Sequence, residues 1–457
     1  MRRVFILCST MLVAVVSTAQ TTSLTFDDAL ALSFERNPAI VASNYARKAA
    51  HRERQAAIGL FMPRISVKGA YAHLNKDVDI DLNPMLSPLL PILGGGLSSL
   101  GLDLSYTLQK RNVAMLGGDV VMPIFAGGKV WTANRAAKIN EQRVAFEDRR
   151  IRGTLVVEVV ERYFGVSLAR RVVAIRQDAV NAVKQHLQEV ALLEREGMAV
   201  ESERLYAEYR LAEAERELRR AELSCRTAEK ALQTSLGAEE DIVPATPLFL
   251  ISDIEPLDYF IASAKLQNPQ LGEVASLREL ARANLRLHRA DYFPEIVAMG
   301  SAIFCHHQLS SLVPRMAVGV GLNFKIFDGL NREYKASATR LQLRRVEALE
   351  RKAEQDISLL VEQRYNSVVA LLASVASVGR SEHFAEEFLR AKRVAYREGM
   401  ATAIEVVDAT LNMMRSRVEM AQTAYEVDVA LVQLLNAAGL SEGFVRYMHR
   451  ATSQQIF

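Results

Sequence analysis

The sequence holds few of the residues that usually carry catalysis or bind metals. Its 3 cysteines and 8 histidines are scattered along 457 residues, and no set of them has the spacing of metal ligands. The adjacent His306 and His307 lack further ligands at the spacing of a metal site. There is no His-Glu-x-x-His motif or nucleophile elbow, and the glycine-rich stretch 94–101 lacks the strand-to-helix context of a phosphate-binding loop. We therefore expect no enzyme activity, no cofactor and no metal site.

An excess of either charge is also absent. The chain has 56 lysines and arginines against 53 acidic residues. Two of the arginines, Arg2 and Arg3, belong to a leader that we expect to be removed, so the mature chain is almost neutral. This balance argues against the basic surface of a nucleic-acid-binding protein, and we expect no nucleic-acid partner.

Long apolar runs are missing beyond the N-terminus. Residues 1–19 combine the two arginines with an apolar run at 4–16 and small residues up to Ala19, a pattern typical of a cleaved signal peptide. That run is too short for a membrane anchor, and no later run approaches the roughly 18 apolar residues of a spanning helix. Entry into a membrane would therefore have to use strands. Cys225 and Cys305 remain in the mature chain, and whether they pair is open.

The chain does contain an internal repeat. The pentapeptide Arg-Glu-Gly-Met-Ala at 195–199 recurs unchanged at 397–401, an offset of 202 residues. The same offset relates Phe125 to Phe327, Gly127 to Gly329 and Gly237 to Gly439. Upstream the offset becomes 231, because Asn37-Pro38 matches Asn268-Pro269. A tandem duplication, with a longer loop in its first half, explains both offsets.

Four segments alternate large apolar residues with small or polar ones, as strands do. They are 64–74, 113–124, 295–305 and 315–326. Their length, near 11 residues, suits a tilted membrane strand with lipid on one face and water on the other. A half-buried strand of a soluble sandwich would alternate in the same way. The export signal, the strand length and the flanking long helices favour the membrane. Loop 75–112 joins the first pair, and a short loop joins the second.

Each strand pair is followed by a very long helical pattern and a shorter one. The predicted helices are 127–196 and 200–236 in the first half, and 329–397 and 402–438 in the second. About 70 helical residues extend for roughly 100 Å. Apolar residues recur every seventh position at Val159, Val166, Val173, Val180 and Leu187. The second half keeps this spacing at Val361, Val368, Val375 and Leu389, with Glu382 as the one exception. This spacing indicates a coiled-coil seam, so the pentapeptides are predicted to be the tips of two long hairpins.

Two acids after the second tip are candidates for a functional role. Glu405 and Asp408 are three residues apart and share a helix face. Glu405 is also a favourable first-turn acid, which would be a purely structural role. If several copies surrounded an axis, both acids would form rings at a pore mouth and favour cations. After the first tip, Ser202 and Glu203 occupy the positions 202 residues before Ile404 and Glu405.

Taken together, these features resemble the TolC-type outer-membrane efflux proteins over essentially the whole mature chain. The motifs that carry the resemblance are short, and they become specific through their order and duplication. They are Ala29-Leu30-Ala31-Leu32, Asn37-Pro38, Phe61-Met62-Pro63, Pro123-Ile124-Phe125-Ala126-Gly127-Gly128, Gly197-Met198-Ala199, Gly399-Met400-Ala401 and Glu405-Val406-Val407-Asp408-Ala409.

The resemblance implies a mainly α fold with a transmembrane β-barrel. A homotrimer would pool four strands per protomer into one 12-stranded barrel in outer-membrane lipid, and the helices would form a periplasmic tunnel. Such proteins are passive exit ducts of tripartite efflux or type I secretion systems. Their partners are a periplasmic adaptor and an inner-membrane transporter. The location implied is the outer membrane of a Gram-negative bacterium.

The resemblance also assigns expected roles to residues. Glu405 and Asp408 match the pore constriction. Ser202, Glu203 and Tyr396 match contacts between hairpins in the closed state, and Gly197, Met198, Gly399 and Met400 lie at the tips expected to dock the adaptor. Ala401 stands where some members have a basic residue, which puts the closed-state salt link in question for this chain.

The expected organisation is a signal peptide, two repeats, a linker and a tail. The boundaries are 1–19, 20–237 for the first repeat, 238–256 for the linker, 257–440 for the second repeat and 441–457 for the tail. A periplasmic adaptor with coiled-coil hairpins is the main alternative, and a structural coiled-coil fibre is another. Four strand candidates and the absence of a lipoyl-like β domain argue against the adaptor. Proline breaks before the strands argue against the fibre.

Overall fold

The structure, a computed structural model, describes residues 22–81, 105–238, 240 and 242–450. The predicted signal peptide lies outside the described residues. The chain divides into two compact units. The first unit comprises the described residues of Met1–Arg47, Arg143–Ala275 and Leu349–Phe457. The second unit comprises those of Lys48–Gln142 and Ser276–Ala348.

Most of the described chain is helical. The helices are α1 Phe26–Arg36, α2 Pro38–Ile58, α3 Lys129–Arg195, α4 Glu201–Leu236, α5 Leu257–Gln267, α6 Pro269–Ala290, α7 Asn331–Arg397, α8 Ala403–Ala437 and α9 Phe444–Arg450. The helical part of the predicted fold class is confirmed. Within the described ranges, no helix is both long and apolar enough to cross a bilayer.

The two Asn-Pro motifs break the helices in the same way. Asn37 and Asn268 end α1 and α5 with extended backbone, as a residue before proline prefers. Proline then opens the next helix, where its missing N–H costs nothing. Each asparagine side chain accepts a backbone N–H of that helix, from Ala39 at 2.9 Å and from Gln270 at 2.8 Å. The same Asn-Pro dipeptide thus ends one helix and begins the next in both halves.

The seven-residue spacing of the long helices marks their buried side. Val159, Val166 and Val180 of α3 are buried, and so are Val361 and Val368 of α7. An aromatic cluster closes this core in the first unit. Its rings are Phe26, Tyr163, Phe164, Phe249 and Phe444. Burial of this apolar surface is the main stabilising term for such helices.

The second unit carries a four-stranded antiparallel sheet. Its strands are β2 Arg64–His73, β5 Asn112–Ala126, β7 Glu295–His307 and β8 Met316–Asn323, in the order β2-β5-β7-β8. β8 ends three residues earlier than predicted, and β5 and β7 are longer. One bulge lies between Leu116 and Gly117, where an added side chain would lie 2.7 Å from the carbonyl oxygen of Ala302.

The register of the sheet separates two kinds of face. Ile65, Val120, Gly300 and Val318 lie in one row across all four strands. Ser66, Asp119, Ser301 and Ala317 form the neighbouring row on the opposite face. The first face is apolar and solvent-exposed in the single chain, with Ile65 75% and Val318 84% exposed. The second face carries an ion pair of 2.6 Å between Lys68 and Asp119.

Three segments that the sequence predicts to be loop, linker and tail contain strands, a helix or buried residues. Loop 75–112 contains β3 Val78–Asp81 and β4 Ser105–Gln109, which pair antiparallel, while residues 82–104 lie outside the described residues. The predicted linker 238–256 contains β6 Ile242–Pro244, which pairs in parallel with β1 Thr22–Leu24.

The predicted linker and tail both contribute short apolar sets to the core. Leu248, Phe249 and Ile251 of the predicted linker are buried. In the predicted tail, Phe444 of α9 is fully buried, and residues 451–457 lie outside the described residues. Each set is too short to show helical or strand periodicity, yet each supplies apolar surface to the core. Cys225 and Cys305 are both free.

Candidate functional site at the hairpin tips

The two tips of the first unit reverse the chain with the same turn. Gly197 and Gly399 have positive φ angles of 75° and 73°. The N–H of Met198 donates to the carbonyl of Leu193 at 2.8 Å, and that of Met400 donates to Ala395 at 2.8 Å. Glycine is preferred here because a side chain is strained at such φ values. The turn leaves Met198 and Met400 at the tips, 69% and 76% exposed.

The first hairpin is fastened by an arginine. Arg204 of α4 donates to Glu194 of α3 at 2.8 Å and to Glu208 of its own helix at 2.5 Å. Val200 precedes α4 without a side-chain hydrogen bond to its first turn. The restraint on this tip therefore comes from charges that join α3 to α4 rather than from a helix cap.

The second hairpin is fastened by Glu405, one of the predicted constriction residues. Its side chain accepts the backbone N–H of Thr402 at 2.9 Å, while Thr402 caps the N–H of Glu405 at 3.3 Å. This reciprocal pair is a capping box. Glu405 also accepts from Lys392 of α7 at 2.7 Å. The Lys392 ammonium, followed by the Thr402 N–H, holds the pKa of Glu405 below its ordinary range.

Asp408, the other predicted constriction residue, bonds to the first hairpin. Its Oδ1 accepts from the Tyr206 hydroxyl at 2.8 Å and from the Arg210 guanidinium at 2.7 Å. Arg210 also donates to the Tyr206 oxygen at 3.0 Å and to Glu213 at 2.7 Å. Glu405 and Asp408 therefore turn to different partners, although they are neighbours on α8. Each carboxylate lies beside a cation of the same chain.

A polar cavity of about 760 Å³ lies between the two hairpins close to the tips. His186 of α3 is buried, and its Nε2 donates to the carbonyl of Ala403 in α8 at 3.2 Å. Its ring meets that of Tyr396 edge-on at 5.2 Å. Burial, together with the charges of Glu203 and Glu189, raises the pKa of Tyr396. The cavity therefore gathers groups from both hairpins.

The predicted closed-state residues are brought together in part. Glu203 and Tyr396 both line the cavity. Ser202 is exposed and is not among the residues that line it. The hydroxyl of Tyr396 is buried and has no hydrogen-bond partner among the described residues. In this structure Tyr396 thus contacts the first hairpin through its ring contact with His186, and it forms no hydrogen bond to Glu203.

Sequence reasoning missed Lys392, Tyr206, Arg210 and His186. For Tyr206 a signal existed, because it stands 202 residues before Asp408 and is therefore its counterpart in the repeat. Equivalent helices of a duplicated fold often pack against each other, and α4 does contact α8. Lys392 and Arg210 lie within charged helix surfaces, where the sequence does not distinguish a bonded charge from a solvated one. His186 is a lone histidine whose burial depends on packing between the hairpins. No group of three or more potential metal ligands occurs among the described residues.

Comparison with known proteins identifies the class. The model of the outer membrane efflux protein family matches residues 29–238 and 260–440. The chain belongs to this family, and the predicted resemblance, the outer-membrane location and the role in efflux are confirmed. The outer membrane protein TolC of Escherichia coli (strain K12) is 22% identical over 406 residues, which cover 82% of this chain and 80% of TolC.

Solved structures show the same fold at low sequence identity. CusC, which forms a transmembrane channel, has a TM-score of 0.74 and 16% identity over 91% of this chain and 92% of CusC. The Campylobacter jejuni CmeC outer membrane channel has a TM-score of 0.73 and 13% identity over 94% of this chain and 90% of CmeC. Both relatives are channels, in keeping with a chain that lacks catalytic motifs.

Proposed function

We propose that this chain is one protomer of a passive homotrimeric exit duct through the outer membrane. In this proposal a periplasmic adaptor and an inner-membrane transporter open the duct and supply the energy, in tripartite efflux or type I secretion. Family membership favours this function over that of an adaptor or a structural fibre. The remaining support comes from the sheet of the second unit and from the tips of the first.

The sheet carries the proposal, because it is incomplete in one chain. β2 and β8 are its outer strands, and no strand among the described residues pairs with their free edges. In lipid, every unpaired backbone group costs several kcal/mol, so an open sheet is not a stable membrane structure. Four strands are too few to close on themselves. Further copies must therefore supply the missing neighbours, and three copies give the 12 strands expected from the resemblance.

Detergent-solubilised protein tests this assembly. The expected result is a trimer by native mass spectrometry that conducts ions in planar bilayers. A matched pair of variants tests the role of the two sheet faces. Val318→Asp places a charge on the apolar face, and Ala317→Asp places it on the opposite, more polar face. We expect only Val318→Asp to block membrane assembly. A monomer without conductance would overturn the proposal.

We further propose that the tips form the gate of the duct. Glu405 and Asp408 would line the constriction, and Glu203 and Tyr396, with Ser202 beside them, would hold neighbouring hairpins in the closed state. The link from Tyr206 and Arg210 to Asp408 supports this, since it ties α4 of one hairpin to α8 of the other. Any movement of one hairpin against the other has to break these hydrogen bonds or move α4 and α8 together.

Ion selectivity tests the gate with changes of opposite sign. Replacing Glu405 and Asp408 by alanine removes negative charge from the constriction, so cation selectivity should fall. Arg210→Ala exposes the charge of Asp408, so cation selectivity should rise. The measurement is the reversal potential in a salt gradient across a planar bilayer. Unchanged potentials in both variants would remove these acids from the passage.

Met198 and Met400, with Gly197 and Gly399, are proposed to dock the adaptor. Exposed methionines are flexible apolar side chains that suit a protein partner. Met198→Glu combined with Met400→Glu should abolish efflux in the native host. The conductance of the purified protein should stay unchanged, because neither methionine is among the residues proposed to line the constriction or to hold the hairpins closed. Normal efflux by this double variant would place the docking surface elsewhere.

A further inference from the structure

An isolated carboxyl group lies in the largest core of the first unit. Asp428 of α8 is 0% exposed. Its neighbours on the same helix face, Ala424 and Leu431, are fully buried and apolar. Neither carboxyl oxygen has a hydrogen bond of normal geometry among the described residues. The backbone of Phe249 offers a favourable polar contact, but one that falls short of that geometry.

Charged groups around this core are bonded to other partners. On the surrounding elements Glu158 pairs with Arg162, Glu161 with Gln433, Tyr163 with the carbonyl of Leu24, Tyr425 with the carbonyl of Glu161, Arg364 with Gln433, Lys230 with Gln233, Arg170 with Glu229, and Glu255 with Tyr447 and Arg450. Among the described residues, none of these groups forms an ion pair with Asp428. A carboxylate at this position would therefore be an uncompensated buried charge.

The physical consequence concerns the proton of Asp428. An ionised carboxylate without a partner is very costly in an apolar interior, and such groups keep their proton instead. Burial accordingly raises the pKa of Asp428 well above its ordinary 3.8. The repeat offers no compensation, since the counterpart 202 residues earlier is Arg226, which is exposed. The buried acid is thus a feature of the second half alone.

We propose that Asp428 is held as an uncharged carboxylic acid at neutral pH, and that losing its proton in alkaline solution loosens the segment 242–251 from α8. That segment includes β6 and the buried Leu248 and Phe249. β6 is its one strand, and it lies between two helices, so moving this short segment exposes the carboxylate to water at a lower cost than moving a long helix. The inference does not depend on trimer formation or on the gate.

The sign of the pH effect follows from proton binding. The folded protein holds a proton on Asp428 that the unfolded chain releases above about its ordinary pKa. The contribution of this group to stability is therefore fully present below that value. It declines as the pH rises through the raised pKa of the folded state. Asp428→Asn keeps the shape of the side chain and removes this titration.

Infrared spectroscopy of the purified protein tests the protonation directly. At about pH 7 the wild type should show the carbonyl stretch of a protonated carboxylic acid, shifted in D₂O and absent from Asp428→Asn. The band should disappear in alkaline solution. The same substitution at an exposed acid of α3, Asp178→Asn, should leave the band in place. Absence of the band from the wild type at neutral pH would overturn the proposal.

Two further measurements test the consequence. The melting temperature of Asp428→Asn should exceed that of the wild type by a margin that grows by a few degrees between about pH 7 and about pH 10. Hydrogen exchange, corrected for its intrinsic pH dependence, should rise in 242–251 of the wild type only. If Asp428→Asn does not fold, Asp428→Leu provides the second neutral variant. A constant margin with unchanged exchange would contradict the release of the segment.

Discussion

The two hairpin tips have the same five residues and the same turn, yet they are restrained differently. The first is fastened by Arg204, which joins α4 to Glu194 of α3. The second is fastened by Glu405, which completes a capping box with Thr402 and accepts from Lys392 of α7. The shared pentapeptide therefore determines the reversal of the chain, and the residues on either side of it determine how firmly each hairpin is closed.

The comparison also explains the link between the hairpins. Tyr206 and Asp408 are counterparts in the repeat, and they bond to each other across the contact between α4 and α8. Two tyrosines at this contact would lack the charged acceptor of this hydrogen bond. Two aspartates would lack the donor and would repel each other. The difference between the residues at these two matching positions thus makes the contact a specific polar link.

The largest expected effect comes from removing the ion pair between Arg210 and Asp408, which leaves the bond from Tyr206 in place. Arg210→Ala breaks a partly exposed ion pair that contributes about 0.5–1 kcal/mol. In the proposed trimer three links are lost together, so the open state should gain roughly ten- to a hundredfold in population. The measurement is open probability in planar bilayers. The matched control is Arg204→Ala, because Arg204 bonds within the first hairpin. Equal effects of the two variants would show that the link between hairpins is not special.

A smaller effect is expected at the glycines that the tips share. A side chain at Gly197 or Gly399 would meet no atom within 4 Å, so the cost of alanine is the backbone strain alone. We expect about 1 kcal/mol at both tips. Hydrogen exchange of the turn amides would report it. Gly59→Ala is the control, since Gly59 has equal space and no positive φ angle. A clear difference between the tips would mean that their turns are not equivalent.

The sequence predicts the helices, strands and turns better than it predicts contacts between residues that are distant along the chain. The repeated motifs, the long helices and the turns follow from patterns that depend on neighbours along the chain. Burial of Phe249 and Phe444 depends on surfaces distant in sequence, and so does the pairing of Asp408 with Arg210. An aspartate in the middle of α8 reads as a surface residue by composition. That Asp428 is buried follows only from the packing around it.

Removing the helix cap should destabilise the second tip, but not the first, by an amount similar to or slightly smaller than the cost of alanine at the tip glycines. Thr402→Ala removes a side-chain cap, which costs about 1 kcal/mol locally. Val200→Ala removes no such bond and should have little effect on the first turn of α4. Val200→Thr should bring the first tip closer to the second. Hydrogen exchange of the Glu203 amide reports the variants at Val200, and that of the Glu405 amide reports Thr402→Ala. If Thr402→Ala left Glu405 as protected as before, Lys392 alone would hold the second tip.

The smallest expected effect is a response to acid confined to the second tip. Because the pKa of Glu405 is lowered, its contribution is present above its ordinary value of 4.5 and is lost as the pH falls through the lowered value. Amide exchange at the second tip should therefore rise between about pH 7 and about pH 3, after correction for the intrinsic rate. The change should be small, since the carboxylate is exposed and screened.

Glu405→Gln should flatten that response, because it removes the charge that Lys392 and the Thr402 N–H recognise. The control is Glu203→Gln, the counterpart 202 residues earlier, for which no ion pair is present among the described residues. If both substitutions changed the acid response equally, the two tips would be restrained alike and the difference between Arg204 and Lys392 would have no functional weight. If only Glu405→Gln does so, an acidic periplasm would loosen one hairpin of each protomer and leave its partner hairpin closed.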